Sequence, residues 1–305
     1  MTFVDWLTDT RRRIGKGREG VLESAYELYV GALRRYGTVV ERGHNVYEND
    51  WDTLVLLDAC RVDALEHVSR EYSWMDNVGQ RRSIAGRSDD WMERTFHESY
   101  SSEMSRTVYV TGNPFASSCI DDSDFLEVEH VYQAEWDREM DAMPARPVTD
   151  AAIRAGRRYE DEDVRLIVHY MQPHFPSIPS LQDDQPNDSF GSGGVWDRWN
   201  AIRQGDIHIF DVIQSYVDNL QYVLDDVELL RENLNAEQMI ISSDHGTALG
   251  EFGVYGHSGF PMQCVRNVPW VVTEAFDENT YSAEETFEKT EEPDVTDQLS
   301  ALGYK

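Results

Sequence analysis

Asp244-His245-Gly246 follows the apolar run Met239-Ile240-Ile241, and Gly256-His257 comes one loop later. A carboxylate beside an imidazole, with a second imidazole close by in sequence, supplies oxygen and nitrogen ligands suited to Zn²⁺ or Mn²⁺. Standing alone, the same residues would also suit a polar loop whose histidines only form hydrogen bonds. Two further runs have the same design. Trp51-Asp52-Thr53-Leu54-Val55-Leu56-Leu57 ends in Asp58-Ala59-Cys60-Arg61, and Leu166-Ile167-Val168-His169-Tyr170 ends in Met171-Gln172-Pro173-His174. Three apolar runs thus deliver metal-competent side chains at their C-terminal ends. In open α/β sheets that edge binds ligands, because the loops leaving the strands converge there.

The elements needed to position these residues are visible in the pattern. Strand-like runs at 53–57, 107–110, 165–170, 239–241 and 268–272 alternate with helical stretches at 61–70, 149–159 and 206–234. Such alternation predicts an α/β fold with a mostly parallel central sheet flanked by helices. Residues 1–45 are expected to form an N-terminal helical extension, broken into two pieces at Gly15, Gly17 and Gly20, ahead of a main domain at 46–305. Residues 182–194 are expected to form a surface loop, and 277–293 an acidic, solvated excursion.

Composition narrows the setting. A hydrophobic fraction of 40% is that of a globular chain. The formal charge of −30, with lysine only at 16, 289 and 305, suits a protein working in concentrated salt. There the Debye length falls to about 3 Å and carboxylate repulsion is screened. An acidic interaction face is the competing explanation, but the acids run from Glu48 to Glu292 and form no block. The same charge argues against a nucleic-acid partner. Arg11, Arg12, Arg13, Lys16 and Arg18 form one basic patch, which offers peripheral contact to an anionic membrane surface, an acidic partner or the chain's own carboxylates. Cys60, Cys119 and Cys264 are widely spaced and make no C-x-x-C, so neither a disulfide framework nor a zinc knuckle is expected. No apolar run approaches the roughly 20 residues of a membrane span, and no secretory signal pattern is present; a cytoplasmic location is expected.

Taken in order, Leu57-Asp58-Ala59-Cys60-Arg61-Val62-Asp63, Val168-His169-Tyr170-Met171-Gln172-Pro173-His174 and Ser243-Asp244-His245-Gly246 with Tyr255-Gly256-His257 resemble a known family. They are similar to the sulfatase-like proteins of salt-loving archaea, a branch of the alkaline phosphatase superfamily. Val268-Pro269-Trp270 and Leu302-Gly303-Tyr304 extend the resemblance across about residues 47–304. It implies an alkaline phosphatase-like α/β sandwich with metal at the strand ends. By that resemblance Asp58, Asp244 and His245 are ligands of the metal that activates the nucleophile. His257 matches a ligand of a second metal, and His174 a metal- or substrate-binding histidine.

Relatives carry a hydroxyl nucleophile about 30 residues after the first aspartate, in a Gly-Ser-x-Thr-Pro-Glu-Trp type of segment. Here Ala85-Gly86-Arg87-Ser88-Asp89-Asp90-Trp91, aligned on Trp91, puts Ser88 in that place. Ser88 is also an ordinary helix N-cap with acids in the first turn, so both roles stay open. Arg87 is a candidate clamp for an anionic ester oxygen, with a plain surface charge as the alternative. The middle motif lacks the aspartate of two-metal phosphodiesterases and offers His169, Gln172 and His174, so one or two ions of Zn or Mn are expected. No cysteine lies in the C-x-P-S-R or C-x-A-x-R setting that sulfatases convert to formylglycine. The expected activity is metal-dependent hydrolysis or transfer of a phosphate ester, with sulfate less favoured, on a small-molecule or glycan substrate. The competing expectation is a non-catalytic member that binds an anionic glycan or a protein partner.

Overall fold

A computed structural model describes residues 18–37, 43–160, 163–182, 195–284 and 295–302. The basic residues 11–16, the loop at 183–194 and the acidic stretch 285–293 lie outside the described residues. Among the described residues the main sheet has seven strands. These are β1 (Thr53–Leu57), β2 (Gly79–Arg82), β3 (Thr107–Thr111), β4 (Glu127–His130), β5 (Arg165–Tyr170), β6 (Ala236–Ser242) and β9 (Asn267–Ala275). A two-stranded ribbon, β7 (Ala248–Leu249) with β8 (Tyr255–Gly256), stands apart. The order in the main sheet is β2-β9-β6-β1-β5-β3-β4. The block from β6 to β4 is parallel, and β9 and β2 add an antiparallel edge.

The continuous apolar runs have a simple cause. A parallel sheet is covered on both faces, so alternation with polar residues is lost. Thr53 through Leu57 are all buried, with Leu54 to Leu57 at 0% exposure. Burying each such leucine stabilises the fold by about 1.5–3 kcal/mol. Helices α2 (Val62–Val68), α4 (Ala145–Arg158) and α5 (Ile209–Arg231) cover the sheet. On α5, Val212, Tyr216, Leu220, Val223, Val227 and Leu230 are buried at helical spacing, one stripe facing the strands. On α4, a Cβ placed on Gly156 would come 1.9 Å from Leu234 Cδ1. Glycine there leaves room for the Leu234 side chain, which would otherwise have to shift.

Helix α1 (Arg18–Gly37) corrects one expectation: it runs through Gly20 instead of breaking there. A glycine inside a helix costs about 1 kcal/mol relative to alanine, too little to interrupt a 20-residue helix seated on a partner. Val30 and Leu33 pack on the cluster of Val254, Phe260 and Val265. At the helix end, a Cβ on Gly37 would lie 2.3 Å from Gly259 O. The end of α1 therefore rests on the loop that follows His257. No helix among the described residues is long and apolar enough to cross a membrane.

Candidate active site

Strand register brings the three motifs to one edge. Leu57 lies opposite Tyr170, while Leu56 lies opposite both His169 and Ser242. Asp58 and Ser243 are the next residues along their strands. The backbone continues the pairing past the sheet: Asp58 N donates to Tyr170 O, and His174 N donates to Asp58 O, both at 3.1 Å. Ser243 ties β6 to β1, donating to Leu57 O at 2.6 Å and accepting from Cys60 N at 3.0 Å. Ser83 donates to Asp244 O and fixes the backbone of the Asp-His pair from the other side.

Around this frame Asp58, Asp244 and His245 converge, with one ligand atom from each lying within 4.8 Å of the others. His245 Nε2 stands 3.3 Å from Asp244 Oδ2 and 3.6 Å from Asp58 Oδ1. Both carboxylates are buried, and both oxygens lack a hydrogen-bond partner among the described residues. Unmatched buried carboxylate oxygens are costly unless a cation meets them. Burial and the neighbouring Asp244 charge push the Asp58 carboxyl above its usual range. Burial acts the same way on Asp244, but His245 and His169 outweigh it and hold that group low. The donor set is two hard carboxylate oxygens without partners, facing one imidazole nitrogen. It fits a divalent ion of the Zn²⁺ or Mn²⁺ type.

Ser88 opens helix α3 (Ser88–Thr95) as its first helical residue, with Arg87 in the N-cap position. Its hydroxyl does not cap the helix. It lies 3.2 Å from Asp58 Oδ2 and 3.2 Å from His245 Nε2, at 0% exposure. Of the two roles left open by the sequence, the geometry is that of a hydroxyl held among the acid-histidine cluster. Arg87 turns back on its own helix, and its guanidinium is held bidentately by Asp89.

The remaining histidines take two positions. His257 and His174 face one another, Nε2 to Nε2 at 2.9 Å, and the His257 ring stacks on His245 with centroids 4.4 Å apart. Burial, then the neighbouring His245 and His174, hold His257 well below the usual imidazole range, so it is neutral at neutral pH. His169 is placed differently. It sits on β5 at 0% exposure, between Trp91 and Tyr109, with Nδ1 2.9 Å from Tyr109 Oη and Nε2 3.9 Å from Asp244 Oδ2. Burial lowers its pKa to about 4. It lies under the cluster, in contact with Asp244.

Asn113 is the residue that motif reasoning missed. Its amide donates to Asp58 Oδ2 at 2.9 Å, so it orients the carboxylate nearest Ser88. The signal was available: Asn113 stands just past the end of β3, the same strand edge that supplied the other candidates. Arg61 is a second omission. It bridges the loops by donating to Thr247 O at 2.9 Å and to Glu251 at 2.6 Å.

No protein-family model matches the chain, and no curated protein does. Solved structures do match. Lipooligosaccharide phosphoethanolamine transferase A from Neisseria meningitidis, an integral membrane protein, superposes with a TM-score of 0.52 at 14% identity over 88% of this chain. This chain spans 57% of that protein's length. The C-terminal periplasmic domain of EcEptC from Escherichia coli, in complex with zinc, gives 0.41 at 11% identity, covering 77% of this chain and 76% of that one. A protein in the alkaline phosphatase superfamily from Vibrio parahaemolyticus gives 0.40 at 9% identity, covering 81% and 68%. At 14% identity the likeness to the transferase is one of fold alone: an α/β architecture with a mostly parallel central sheet flanked by helices.

Proposed function

We propose that this protein is a metal-dependent enzyme acting on a phosphate ester, by hydrolysis or transfer, with Ser88 as nucleophile. The observation that carries the reading is the position of the Ser88 hydroxyl. It is wholly buried between Asp58 and His245, beside two carboxylates with unmatched oxygens. Asp58, Asp244 and His245 would hold a Zn²⁺ or Mn²⁺ ion, which supplies Lewis-acid charge favouring the serine alkoxide and offsetting charge on the ester oxygens.

The chain's own groups account for the proton traffic. As Ser88 Oγ forms its bond to phosphorus, its proton has Asp58 Oδ2 within reach at 3.2 Å. Asn113 keeps that oxygen oriented toward the serine. The bond from phosphorus to the alcohol oxygen breaks in line with the attack, and the departing oxygen needs a proton. A water molecule supplies that proton, and the His257–His174 pair, Nε2 to Nε2 at 2.9 Å, is placed to orient it. Water, or an acceptor alcohol in the transfer case, then attacks the phosphoserine and restores Ser88.

Phosphate is favoured over sulfate because no cysteine sits in a formylglycine setting. Cys60 is buried at the turn after β1, its Sγ directed to Arg61 O, and burial pushes its thiol pKa up. The transferase named among the fold neighbours acts on a phosphoethanolamine group, which agrees with phosphoryl chemistry on this architecture.

The test is turnover of bis(p-nitrophenyl) phosphate, p-nitrophenyl phosphate and p-nitrophenyl sulfate by metal-replete full chain, with mass analysis of the quenched protein. Phosphate turnover and a phosphoryl adduct on the Ser88 peptide are expected, both absent in Ser88→Ala. Turnover surviving in Ser88→Ala would remove the nucleophile assignment. Equal turnover of the sulfate would remove the preference for phosphorus. Inactivity toward all three with metal bound would favour a binding protein.

A further inference from the structure

Beside Ser88 lies a cleft of about 360 Å³ whose lining includes Arg34, Arg87, Arg94 and Arg266. In a chain with 57 acidic against 27 basic residues, four guanidinium groups on one cleft run against the composition. Arg87 is paired with Asp89 and Arg94 with Asp90, each at its own helix. A further carboxylate, Glu93, lines the cleft from the exposed face of α3.

Arg266 is different. It is 4% exposed, and its one described side-chain hydrogen bond sends Nη2 to Ser83 O at 2.9 Å. Its Nε finds no partner among the described residues. Burial, reinforced by the like charge of Arg82, lowers its pKa to about 10, so it stays a cation at neutral pH. A buried guanidinium with an unmatched N–H is the cationic counterpart of the orphaned carboxylate oxygens beside Ser88, and it calls for an anion. Arg34, in the last turn of α1, stands exposed at the rim, with Cζ 5.9 Å from the Phe260 ring centre. Loss of water around it, then the like charge of Arg87, holds its pKa below the usual range.

The cleft adjoins the site on both sides. Gly86 and Arg87 run directly into Ser88, and Ser258 and Gly259 follow directly on His257. A Cβ on Gly86 would meet Arg266 Cδ and Val265 Cγ1 at 3.2 Å, so the absence of a side chain keeps the floor open beneath Arg266.

We infer that this cleft binds a second anionic group of the substrate, so that esters whose alcohol portion carries another oxyanion are preferred over esters of neutral alcohols. The inference rests on the reading of Ser88 as the reacting residue. It also gives α1 a role, because Arg34 forms part of the specificity wall.

The test uses ligands that cannot be hydrolysed: α,ω-alkane bisphosphonates of two to six methylenes, each compared with the alkyl monophosphonate of equal length. Affinities are measured calorimetrically on metal-replete full chain, and the ratio within each pair is the readout. At least one length should bind about tenfold more tightly than its monophosphonate, a gain expected of a partly desolvated guanidinium–phosphonate pair. Arg266→Lys and Arg34→Gln should each bring that ratio toward one, and Arg34→Gln alters an exposed residue that does not endanger folding. Arg158→Gln, at the far edge of the sheet, should leave it unchanged. No gain at any length, or a gain that survives both cleft variants, would overturn the assignment. Monophosphonate affinity that is indifferent to Asp244→Asn would overturn the metal site instead, with the cleft ratio still measured separately.

Discussion

The two edges of the sheet carry similar residues in opposite states. At the C-terminal edge, Asp58, Asp244, Ser88 and His245 are each no more than 1% exposed, and two carboxylate oxygens have no described partner. At the N-terminal edge, Asp52, Glu160, Asp163 and Glu237 line another cleft, of about 290 Å³. There Asp52 accepts from Gln238 N, Glu160 from Asn235, and Asp163, 92% exposed, from Arg106. In so acidic a chain, a group of carboxylates says little by itself. Burial without partners is what distinguishes the two sets of acids: of the carboxylates compared, Asp58 and Asp244 are the ones with a buried oxygen that no described residue satisfies.

The strongest way to break this contrast is to neutralise one acid at each edge. Asp244→Asn should lower kcat/KM for a phosphate ester on the order of 10³-fold or more and remove bound metal. Asp163→Asn should change it less than about twofold, as expected of an exposed ion pair. Metal content by elemental analysis and initial rates suffice. An Asp244→Asn enzyme that keeps its rate would dissolve the distinction.

A smaller effect separates the histidines. His257→Ala and His174→Ala should each cost about 10–100-fold in turnover, the range for groups that support a metal site. Their ring nitrogens are 2.9 Å apart, so the double variant should cost little more than the worse single one. Additive losses would mean that the two rings act separately. At the other edge, Asn235→Ala removes its hydrogen bonds to Glu160 and from Asp277 N, both remote from Ser88, and should leave turnover unchanged.

How much of this was legible in the sequence follows from the range of the interactions. Asp58, His174 and Asp244 were visible because each follows an apolar run, and parallel strands align their ends by local rules. The long helices were legible from their periodicity, since α5 buries one stripe along its length. The antiparallel course of β9 was not legible: its apolar run looks like any buried strand, and direction depends on where the chain crosses. Asn113 lies past a strand end but is not a metal ligand by type, so motif reasoning passed over it. Arg34 and Arg266 are 232 residues apart in the chain, and only the seating of α1 on the loop after His257 puts them on one cleft. The Ser88 ambiguity is of the same kind. Its sequence is that of an N-cap, and only the meeting of β1, β6 and α3 turns the hydroxyl to Asp58.

Stability offers a sharper test, because it separates what the site costs from what it does. In chelator, Asp58→Asn should be neutral or stabilising by on the order of 1 kcal/mol, since it removes one of two buried charges that repel. The new amide oxygen can still accept from Asn113, while its NH₂ meets the formerly unmatched side of the pocket. Added Zn²⁺ or Mn²⁺ should raise the melting temperature of the unaltered protein and fail to raise that of the variant. Asp52→Asn weakens the acceptor for Gln238 N at the other edge, so it should destabilise by about 0.5–1 kcal/mol with or without metal. If both substitutions destabilised equally in chelator, the active-site carboxylates would not be strained by each other.

The smallest effect concerns an ion pair on the same far side of the sheet. Arg157 grips Asp277 with Nε to Oδ2 at 2.7 Å and Nη2 to Oδ1 at 2.9 Å, tying the chain after β9 to the end of α4. Those hydrogen bonds hold the Asp277 carboxyl below its ordinary value of 3.8. A carboxylate whose pKa is lower folded than unfolded contributes stability that is complete above the unfolded value and is lost as pH falls through the folded one. Arg157→Gln should therefore cost less than about 1 kcal/mol at pH 7, and the gap to the unaltered protein should close below about pH 4. Thermal unfolding between pH 2 and 7 measures it. Closure on acidification would show a far-edge charge behaving as a satisfied, solvent-coupled pair. A gap unchanged down to pH 2 would mean that the Arg157 side chain acts through packing and its other acceptors, Tyr281 O and Asn233 Oδ1, and the electrostatic half of the contrast would then rest on Asp52, Glu160 and Asp163 alone.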